Sequence, residues 1–343
     1  MTSRRLFRRG IFAAARTPFA GLMIDALERI DGHDAQVFSV IVYHRIDDPH
    51  RCRRLDPRLI SATPEALDAQ LEYLAAHTSL LSLDDLIEVR RGRTRLPPRA
   101  VLVTFDDGYS DFADHAWPLL RRHDVPAVLF VPTGYPDRPD RAFWWDRVHA
   151  AIHDTTRPRL ELPDVSLRLR SASDRVAAFE WVSRQVHARD HERAMALVDE
   201  VEAALGVPPP RSAVLSWQDL RRLSHEGLVV APHTRGHPML HRVGAAEARE
   251  EIAASVADLE RELGFVPPAF AYPGGFHSDA VVEEVKRAGF EMAFTVRRGN
   301  NQAQHVDWYR VRRIHVGVDS PLTVVRAQLL RRPSGAGRPE HVG

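Results

Sequence analysis

The 343-residue sequence has little cysteine and little excess charge. Cys52 is its only cysteine, so an intrachain disulfide is excluded and a thiolate metal site cannot be built from this residue alone. The 47 basic and 46 acidic residues leave a net formal charge of +1. Because nothing in this balance favours a polyanion, we expect no nucleic-acid partner. No internal repeat of fixed period is present, and the length suffices for one large α/β domain.

Long hydrophobic runs are also missing, even at the N-terminus. Residues 1–16 carry five arginines and no acidic residue, and the apolar stretch at 11–24 is interrupted by Arg16 and Pro18. This stretch is too short and too broken to span a bilayer, and no small-residue cleavage site follows it. We therefore expect a cytoplasmic or membrane-associated protein.

Apolar residues after the arginine-rich segment recur at helical spacing, which predicts an amphipathic helix. They are Phe19, Leu22, Met23, Ala26, Leu27 and Ile30. The favoured interpretation is that this face packs on the domain. The alternative is peripheral contact with an anionic membrane.

The central stretch of the chain is residues 100–111, which read AVLVTFDDGYSD. Its first six residues are an apolar and β-branched run, typical of a parallel strand covered on both faces. Asp106 and Asp107 follow directly, and Gly108 then permits a sharp turn. Adjacent carboxylates at the end of a buried strand are unfavourable unless a cation or a proton neutralises one of them. The sequence therefore predicts a partner for this pair.

Candidate partners are His233 and His237, in the segment GLVVAPHTRGHP at 227–238. A short apolar run again leads into polar groups, and imidazoles four residues apart can converge in a helical turn or a tight loop. One carboxylate and two neutral imidazoles are a common ligand set for catalytic zinc. An Asp-Asp-Gly segment alone is usually a turn, but its occurrence together with the histidine pair favours a metal site.

Alternating strands and helices surround these two segments. Further strands are predicted at 37–43, 125–131, 228–231, 268–272, 292–296 and 309–316. Residues from about 136 to about 215 interrupt the alternation and are interpreted as a helical insertion. Within this insertion, Trp144 and Trp145 suit either a sugar-stacking platform or a hydrophobic core. We accordingly divide the chain into an N-terminal basic extension (1–36), a barrel with its insertion (37–320) and a C-terminal tail (321–343), disordered from 331.

Three segments resemble the signature motifs of the polysaccharide deacetylases, the NodB-homology or carbohydrate esterase family four enzymes. They are TFDDGY (104–109), HTRGHP (233–238) and FAYPGG (270–275), and the resemblance extends over about residues 37–316. It implies an α/β fold, a distorted (β/α) barrel of about seven strands whose C-terminal strand ends carry the site. It also implies a hydrolase that removes N-acetyl groups from N-acetylhexosamine units of a polysaccharide or glycolipid, so an N-acetylated glycan is the expected partner.

The resemblance also implies a role for each site residue. Asp107, His233 and His237 would bind a divalent metal, zinc with cobalt or nickel as alternatives, and Asp106 would be the general base. The backbone N–H of Gly274 would stabilise the oxyanion. Tyr109 would shape the substrate side of the site.

Two positions depart from the family pattern. Many members have a base-orienting arginine where this sequence has Ala271; Arg313 is the nearest candidate replacement, with a solvent-exposed arginine as the alternative interpretation. The acid that protonates the leaving amine would be His44 or His315. The segment YHR (43–45) resembles the early Tyr-His of the subgroup that deacetylates poly-β-1,6-N-acetylglucosamine, which favours His44.

Two other functions are compatible with these residues. The same water and base could hydrolyse another C–N bond or an O-acetyl ester. A barrel that lacks the motif arginine could also bind glycans without catalysis.

Overall fold

The computed structural model describes residues 20–30, 36–50 and 54–330. In chain order the strands are β1 (Val37–Tyr43), β2 (Arg45–Ile46), β3 (Ile60–Ala62), β4 (Ser79–Leu80), β5 (Ala100–Asp106), β6 (Ala127–Val131), β7 (Arg159–Leu162), β8 (Val165–Arg168), β9 (Val229–Pro232), β10 (Ala269–Ala271), β11 (Met292–Arg298), β12 (Asn301–Gln302) and β13 (Val311–His315). The α-helices are α1 (Ala20–Ile30), α2 (Pro64–His77), α3 (Leu83–Arg90), α4 (Trp117–Arg122), α5 (Trp144–Asp154), α6 (Ala172–Ala188), α7 (His191–Leu205), α8 (Trp217–His225), α9 (Ala245–Leu263), α10 (Asp279–Arg287) and α11 (Leu322–Leu329).

Seven strands form a nearly closed parallel barrel in the order β10-β11-β13-β1-β5-β6-β9. Starting from β1 and going around the barrel, the strands follow one another in chain order, as in a (β/α) barrel. Within the described residues no strand ladder joins β9 to β10, so the barrel opens there. The predicted distorted barrel of about seven strands is confirmed.

Side chains on the barrel strands alternate between the interior and the surrounding helices. On β5, Leu102 belongs to the interior cluster, whereas Val101 and Val103 pack with the helices. Because both faces are buried, β5 appears in the sequence as a continuous apolar run. Asp106 and Arg313 occupy interior positions of β5 and β13, in step with Leu102 and Val311, so two charged side chains are directed into the barrel.

The insertion packs around a hydrophobic cluster of its own. Helices α5, α6 and α7 supply most of this cluster, which confirms the predicted helical insertion. The pattern predicted over 174–205 is divided between α6 and α7, because Asp190 caps the second helix by accepting a hydrogen bond from the Arg193 N–H. The insertion also contains the antiparallel hairpin β7–β8, which the sequence analysis missed. Much of this hairpin is polar and exposed, so it lacks the apolar signal of a buried strand.

Helix α1 confirms the predicted N-terminal helix, but the predicted packing is wrong for two described residues of its apolar face, Leu22 and Leu27. Leu22 and Leu27 are 71% and 52% exposed, whereas Ile24 is buried. The helix is attached through its acidic residues, because Arg326 of α11 pairs with Asp25 and with Glu28. The side chains of the predicted face at 19, 23 and 30 lie outside the described part.

Helix α11 lies in the segment assigned to the C-terminal tail, and its Val324 and Val325 are buried. The tail assignment from 321 is therefore wrong for this helix. Residues 331–343, predicted to be disordered, lie outside the described residues. None of the helices in the described ranges is long and apolar enough to cross a membrane.

Candidate metal centre and active site

The turn after β5 separates the two adjacent carboxylates. Asp107 and Gly108 both have left-handed backbone conformations, with φ of 72° and 68°. This conformation is strained for a residue with a side chain, and such strain is typical of functional sites. A Cβ on Gly108 would lie 3.1 Å from the Val131 side chain, and this close contact together with the positive φ favours glycine here. The turn directs Asp106 towards Arg313 and Asp107 towards the two histidines.

His233 and His237 converge on Asp107 from a tight loop that follows β9. The Thr234 hydroxyl accepts a hydrogen bond from the His237 N–H at 3.0 Å, and Thr234 and His237 both have positive φ. The Asp107 Oδ1 atom lies 3.7 Å from His233 Nε2 and 3.2 Å from His237 Nε2. Ligand atoms of all three residues lie within 4.8 Å of one another. Of the sequence alternatives, the loop rather than a helical turn therefore brings the imidazoles together.

The chemistry of these three residues fits a divalent metal. His233 Nδ1 donates a hydrogen bond to the Ala271 carbonyl at 2.7 Å, which leaves its Nε2 lone pair directed at Asp107. This bond also bridges the open edge between β9 and β10. Burial lowers the pKa of His233 to about 4, so the imidazole is neutral at neutral pH, as a metal ligand must be. Burial raises the pKa of Asp107, but the hydrogen bond and charge of His237 outweigh it and leave the pKa lowered.

Arg313 forms a two-pronged ion pair with Asp106 inside the barrel. Its Nη1 and Nη2 groups donate to Oδ1 and Oδ2 of Asp106 at 2.8 and 2.7 Å, and its Nε donates to the Thr295 carbonyl. Arg313 is fully buried, so the alternative that it faces solvent is wrong. Burial raises the pKa of Asp106, but the charge of Arg313 outweighs it, so the pKa lies below its ordinary value. Asp106 is thus held ionised in a fixed orientation.

His44 and His315 lie at the ends of neighbouring strands beside the carboxylates. The register of β1 on β5 pairs Tyr43 with Phe105, so His44 follows beside Asp106. The register of β1 on β13 pairs Val42 with His315. Both histidines line a cavity of about 600 Å³, which we call the histidine cavity.

The two histidines differ in their surroundings. Burial lowers the pKa of His315 to about 3, and its Nε2 atom is buried without a hydrogen-bond partner among the described residues. His44 is only partly buried, and its backbone N–H donates to the Ser61 hydroxyl at 2.9 Å.

Gly274 lies in the 3₁₀ turn Pro273–Gly275 that follows β10. It is exposed, has a φ of 58°, and its N–H donates to no other described residue. A Cβ on the next residue, Gly275, would lie 2.2 Å from the Val296 backbone nitrogen, so only glycine fits there. Gly274 and His237 both line a second cavity of about 410 Å³, between the barrel and the insertion, which we call the insertion cavity.

An aromatic cluster supports the metal centre from the insertion. The Trp145 ring stacks on Phe143 and meets His237 edge-on, with ring centroids 4.5 and 5.2 Å apart. Trp145 Nε1 donates to the Tyr109 hydroxyl, which in turn donates to Asp146 Oδ2. Tyr109 is 1% exposed, so it shapes the site from beneath. Trp145 therefore packs in an aromatic cluster and also lines the insertion cavity.

Asp146 is a site residue that the sequence analysis missed. It accepts hydrogen bonds from Tyr109 and from the Asp56 N–H, and burial raises its pKa to about 7. Its position after paired tryptophans was visible in the sequence, but its partners lie 37 and 90 residues away. No local pattern could have revealed this network.

Comparison with known proteins places the chain in a family. Residues 93–293, more than half of the chain, match the profile described as polysaccharide deacetylase. The chain belongs to the polysaccharide deacetylase family. The predicted family is confirmed.

The poly-β-1,6-N-acetyl-D-glucosamine N-deacetylase of Escherichia coli strain K12 is 24% identical to this chain over 276 residues. The match covers 79% of this chain and 35% of that protein. The enzyme of the same name from Staphylococcus epidermidis is 28% identical over 101 residues, which cover 25% of this chain and 35% of that protein. The matches thus span about a third of the length of these curated relatives.

Solved structures of family members share the barrel. The structure of IcaB from Ammonifex degensii is 22% identical, with a TM-score of 0.59, and the match covers 86% of this chain and 98% of that one. The Streptococcus pyogenes deacetylase PplD in complex with acetate is 18% identical, with a TM-score of 0.58, over 85% of this chain and 98% of that one. At sequence identities of 22% and 18%, the structural similarity establishes a shared fold and no more.

Proposed function

We propose that this chain is a metal-dependent hydrolase that removes N-acetyl groups from N-acetylhexosamine units of a polysaccharide or glycolipid. The proposal rests on the turn after β5, which directs the two adjacent carboxylates towards different partners. Asp107 joins His233 and His237, while Asp106 is held apart by Arg313. A metal ligand and a free base side by side are the elements that hydrolysis of an unactivated amide requires.

Asp107, His233 and His237 would hold the metal, and zinc is the favoured candidate from this donor set. When bound, the cation would polarise the acetamide carbonyl and promote ionisation of the attacking water. Asp106 would accept the proton of that water. Because Arg313 binds both of its oxygens, Asp106 is kept ionised and presents a fixed edge to the reacting water.

The Gly274 N–H supports the oxyanion. It is exposed on the cavity that His237 also lines, and it has no partner among the described residues. A donor placed at a developing oxyanion contributes about 3 kcal/mol to transition-state stabilisation.

We assign protonation of the leaving amine to His44. A general acid must carry a proton at working pH, and the pKa of His315 is lowered to about 3 by burial, so His315 is neutral there. His44 lies beside Asp106 at the rim of the histidine cavity and is better placed to exchange protons with solvent.

The linkage we propose is β-1,6. Its support is the activity printed for the curated relatives and the YHR segment at 43–45. The two rival functions, hydrolysis of a different bond and glycan binding without catalysis, use the same residues and are separated by product analysis. The non-catalytic rival was motivated by Ala271 and by the unassigned acid, and the pairing of Arg313 with Asp106 weakens the first of these two grounds.

Acetate release tests the proposal. Metal-stripped protein is assayed with and without zinc or cobalt, on N-acetylglucosamine oligomers of β-1,4 and β-1,6 linkage, beside an Asp106→Asn variant. Metal-dependent release that this variant abolishes would support the function and identify the linkage. An O-acetylated oligomer without N-acetyl groups and a cyclic amide, assayed in parallel, would reveal hydrolysis of the rival bonds. Failure to release acetate from the N-acetyl oligomers by protein shown to contain metal would refute the proposed activity.

A further inference from the structure

The side chains that line the insertion cavity differ in character from those that line the histidine cavity. Its apolar wall comes mainly from the insertion and consists of aromatic and aliphatic side chains, including Trp144, Phe179, Val186, Met195, Met239 and Phe276. Its polar side chains are Asp56, Arg58, Ser183, His187, His191 and His237, and two of them, Asp56 and Arg58, are paired with each other. A largely apolar cavity of about 410 Å³ is within the range of small-molecule binding pockets.

The two cavities lie against different parts of the reaction centre. His44 and His315 line the histidine cavity, whereas His237 and Gly274 line the insertion cavity. Arg58 and Leu59 line both, so the two cavities adjoin. In the proposed reaction, which this inference takes as given, the leaving amine faces His44 and the carbonyl oxygen faces the metal and Gly274. The sugar that carries the amine therefore belongs to the histidine cavity. The acyl substituent of the same carbonyl carbon is then directed to the insertion cavity.

The insertion cavity is much larger than an acetyl group needs. Acetyl places a single methyl beyond the carbonyl, which cannot cover the rings and side chains that line about 410 Å³. Two of these side chains are partly buried methionines, Met195 and Met239, whose flexible thioethers adapt to chains of different shape. The wall also holds one polar atom that is buried without a partner among the described residues, the Ser183 hydroxyl.

We propose that the enzyme hydrolyses N-acyl groups larger than acetyl, with the acyl chain in the insertion cavity. The amide C–N bond breaks, the water hydroxyl joins the acyl carbon, and the water proton reaches the amine through Asp106 and the acid. The products are a longer carboxylate and a free amino sugar. No further reactant is needed.

An acyl-length series tests the proposal on the metal-loaded wild-type protein. The substrates are β-1,6 and β-1,4 glucosamine oligomers that carry N-acetyl, N-butyryl or N-hexanoyl groups, and release of the free amine is measured. We expect kcat/KM to rise from acetyl to hexanoyl, by at most about fourfold per methylene. A fall of kcat/KM from acetyl to butyryl would overturn the acyl assignment and leave the proposed deacetylase intact. Failure to cleave any member would overturn both.

A charge placed in the cavity supplies a second test. Met195→Glu introduces a carboxylate into the wall and should lower the hexanoyl-to-acetyl ratio of kcat/KM by about tenfold. Val176→Glu, at a half-exposed position of the same helical insertion outside the cavity lining, should leave this ratio unchanged. Equal ratios in the two variants would contradict the proposal.

Product binding provides a readout that does not depend on turnover. In isothermal titration calorimetry, hexanoate should bind the protein more tightly than acetate does, and Met195→Glu should remove the difference. If acetate binds the wild-type protein as tightly as hexanoate, the cavity does not receive the acyl chain and the proposal fails.

Discussion

Arg313 and Asp106 form a buried ion pair with two parallel hydrogen bonds of 2.8 and 2.7 Å. The arginine comes from the last barrel strand and takes the place left by Ala271 in the third motif. Removing one member of a buried pair leaves an uncompensated charge, which usually costs about 3–5 kcal/mol of folding free energy. Loss of either member should therefore destabilise the barrel. Under the proposed function, the pair also orients the base.

Arg313→Lys should retain the charge but lose the two-pronged contact, because an ammonium group cannot match both carboxylate oxygens. We expect kcat to fall on the order of 10-fold to 100-fold with little change in KM or in metal content. Steady-state kinetics and metal analysis by mass spectrometry would measure this. Arg312→Lys, at the adjacent position of β13, is the matched control. An unchanged kcat in Arg313→Lys would show that Asp106 needs no orienting group.

The Asp107 centre should bind one divalent metal per chain, and His237→Ala should abolish stoichiometric binding because one of its three ligands is lost. His225→Ala, an exposed histidine at the end of α8, serves as the control. Mass spectrometry and thermal melting with and without a chelator would report the result. Full metal occupancy in His237→Ala would exclude this ligand set.

His44→Ala should lower kcat by about 100-fold to 10,000-fold and retain the metal, as expected for loss of a general acid. His315→Ala should have the smaller effect, because a neutral imidazole is a far weaker acid than an imidazolium. Turnover and metal content of the two variants would be measured in parallel. A normal turnover rate for His44→Ala would show that His44 is not the general acid.

Asp146 should make the protein less stable as pH rises. Its pKa is raised from 3.8 to about 7 in the folded protein, so between these values the folded state holds a proton that the unfolded state has released. The contribution of Asp146 to the free energy of unfolding is therefore present at low pH and is lost as pH rises to about 7. The free energy of unfolding falls by at most about 1.4 kcal/mol per pH unit in this range.

Asp146→Asn removes this titration. Urea unfolding of both proteins at pH 5 and pH 8 should show the variant gaining stability relative to wild type at the higher pH. If the difference between the two unfolding free energies is the same at both pH values, Asp146 does not titrate in this range.

The exposed face of α1 suggests a membrane contact, which we propose as peripheral. Leu22 and Leu27 are exposed on a helix preceded in sequence by an arginine-rich segment. Cosedimentation with vesicles containing phosphatidylserine should decrease in the Leu22→Glu, Leu27→Glu double variant. Phe265→Glu, which changes another exposed apolar residue, is the control. Equal sedimentation of all three proteins would exclude α1 as the contact.

Local patterns in the sequence were enough to predict much of the architecture and most candidate site residues. A strand buried on both faces appears as a continuous apolar run, so β5 and the turn after it were visible without coordinates. The capping sequence at Thr63 and Pro64 likewise predicted the start of α2, where the Thr63 hydroxyl accepts from the Ala66 N–H. These features depend on residues that are close together in the sequence, so they can be recognised without coordinates.

Only the tertiary structure decided which distant side chains meet. Arg313 is 207 residues from Asp106, and the two side chains come together because β13 closes the barrel against β1. The same holds for Tyr109 and Asp146, which belong to the barrel and to the insertion. The sequence by itself determined the candidate metal ligands and the strand that carries the proposed base. The orienting arginine, the support beneath the metal centre and the apolar cavity beside it depend on packing between segments that no local pattern connects.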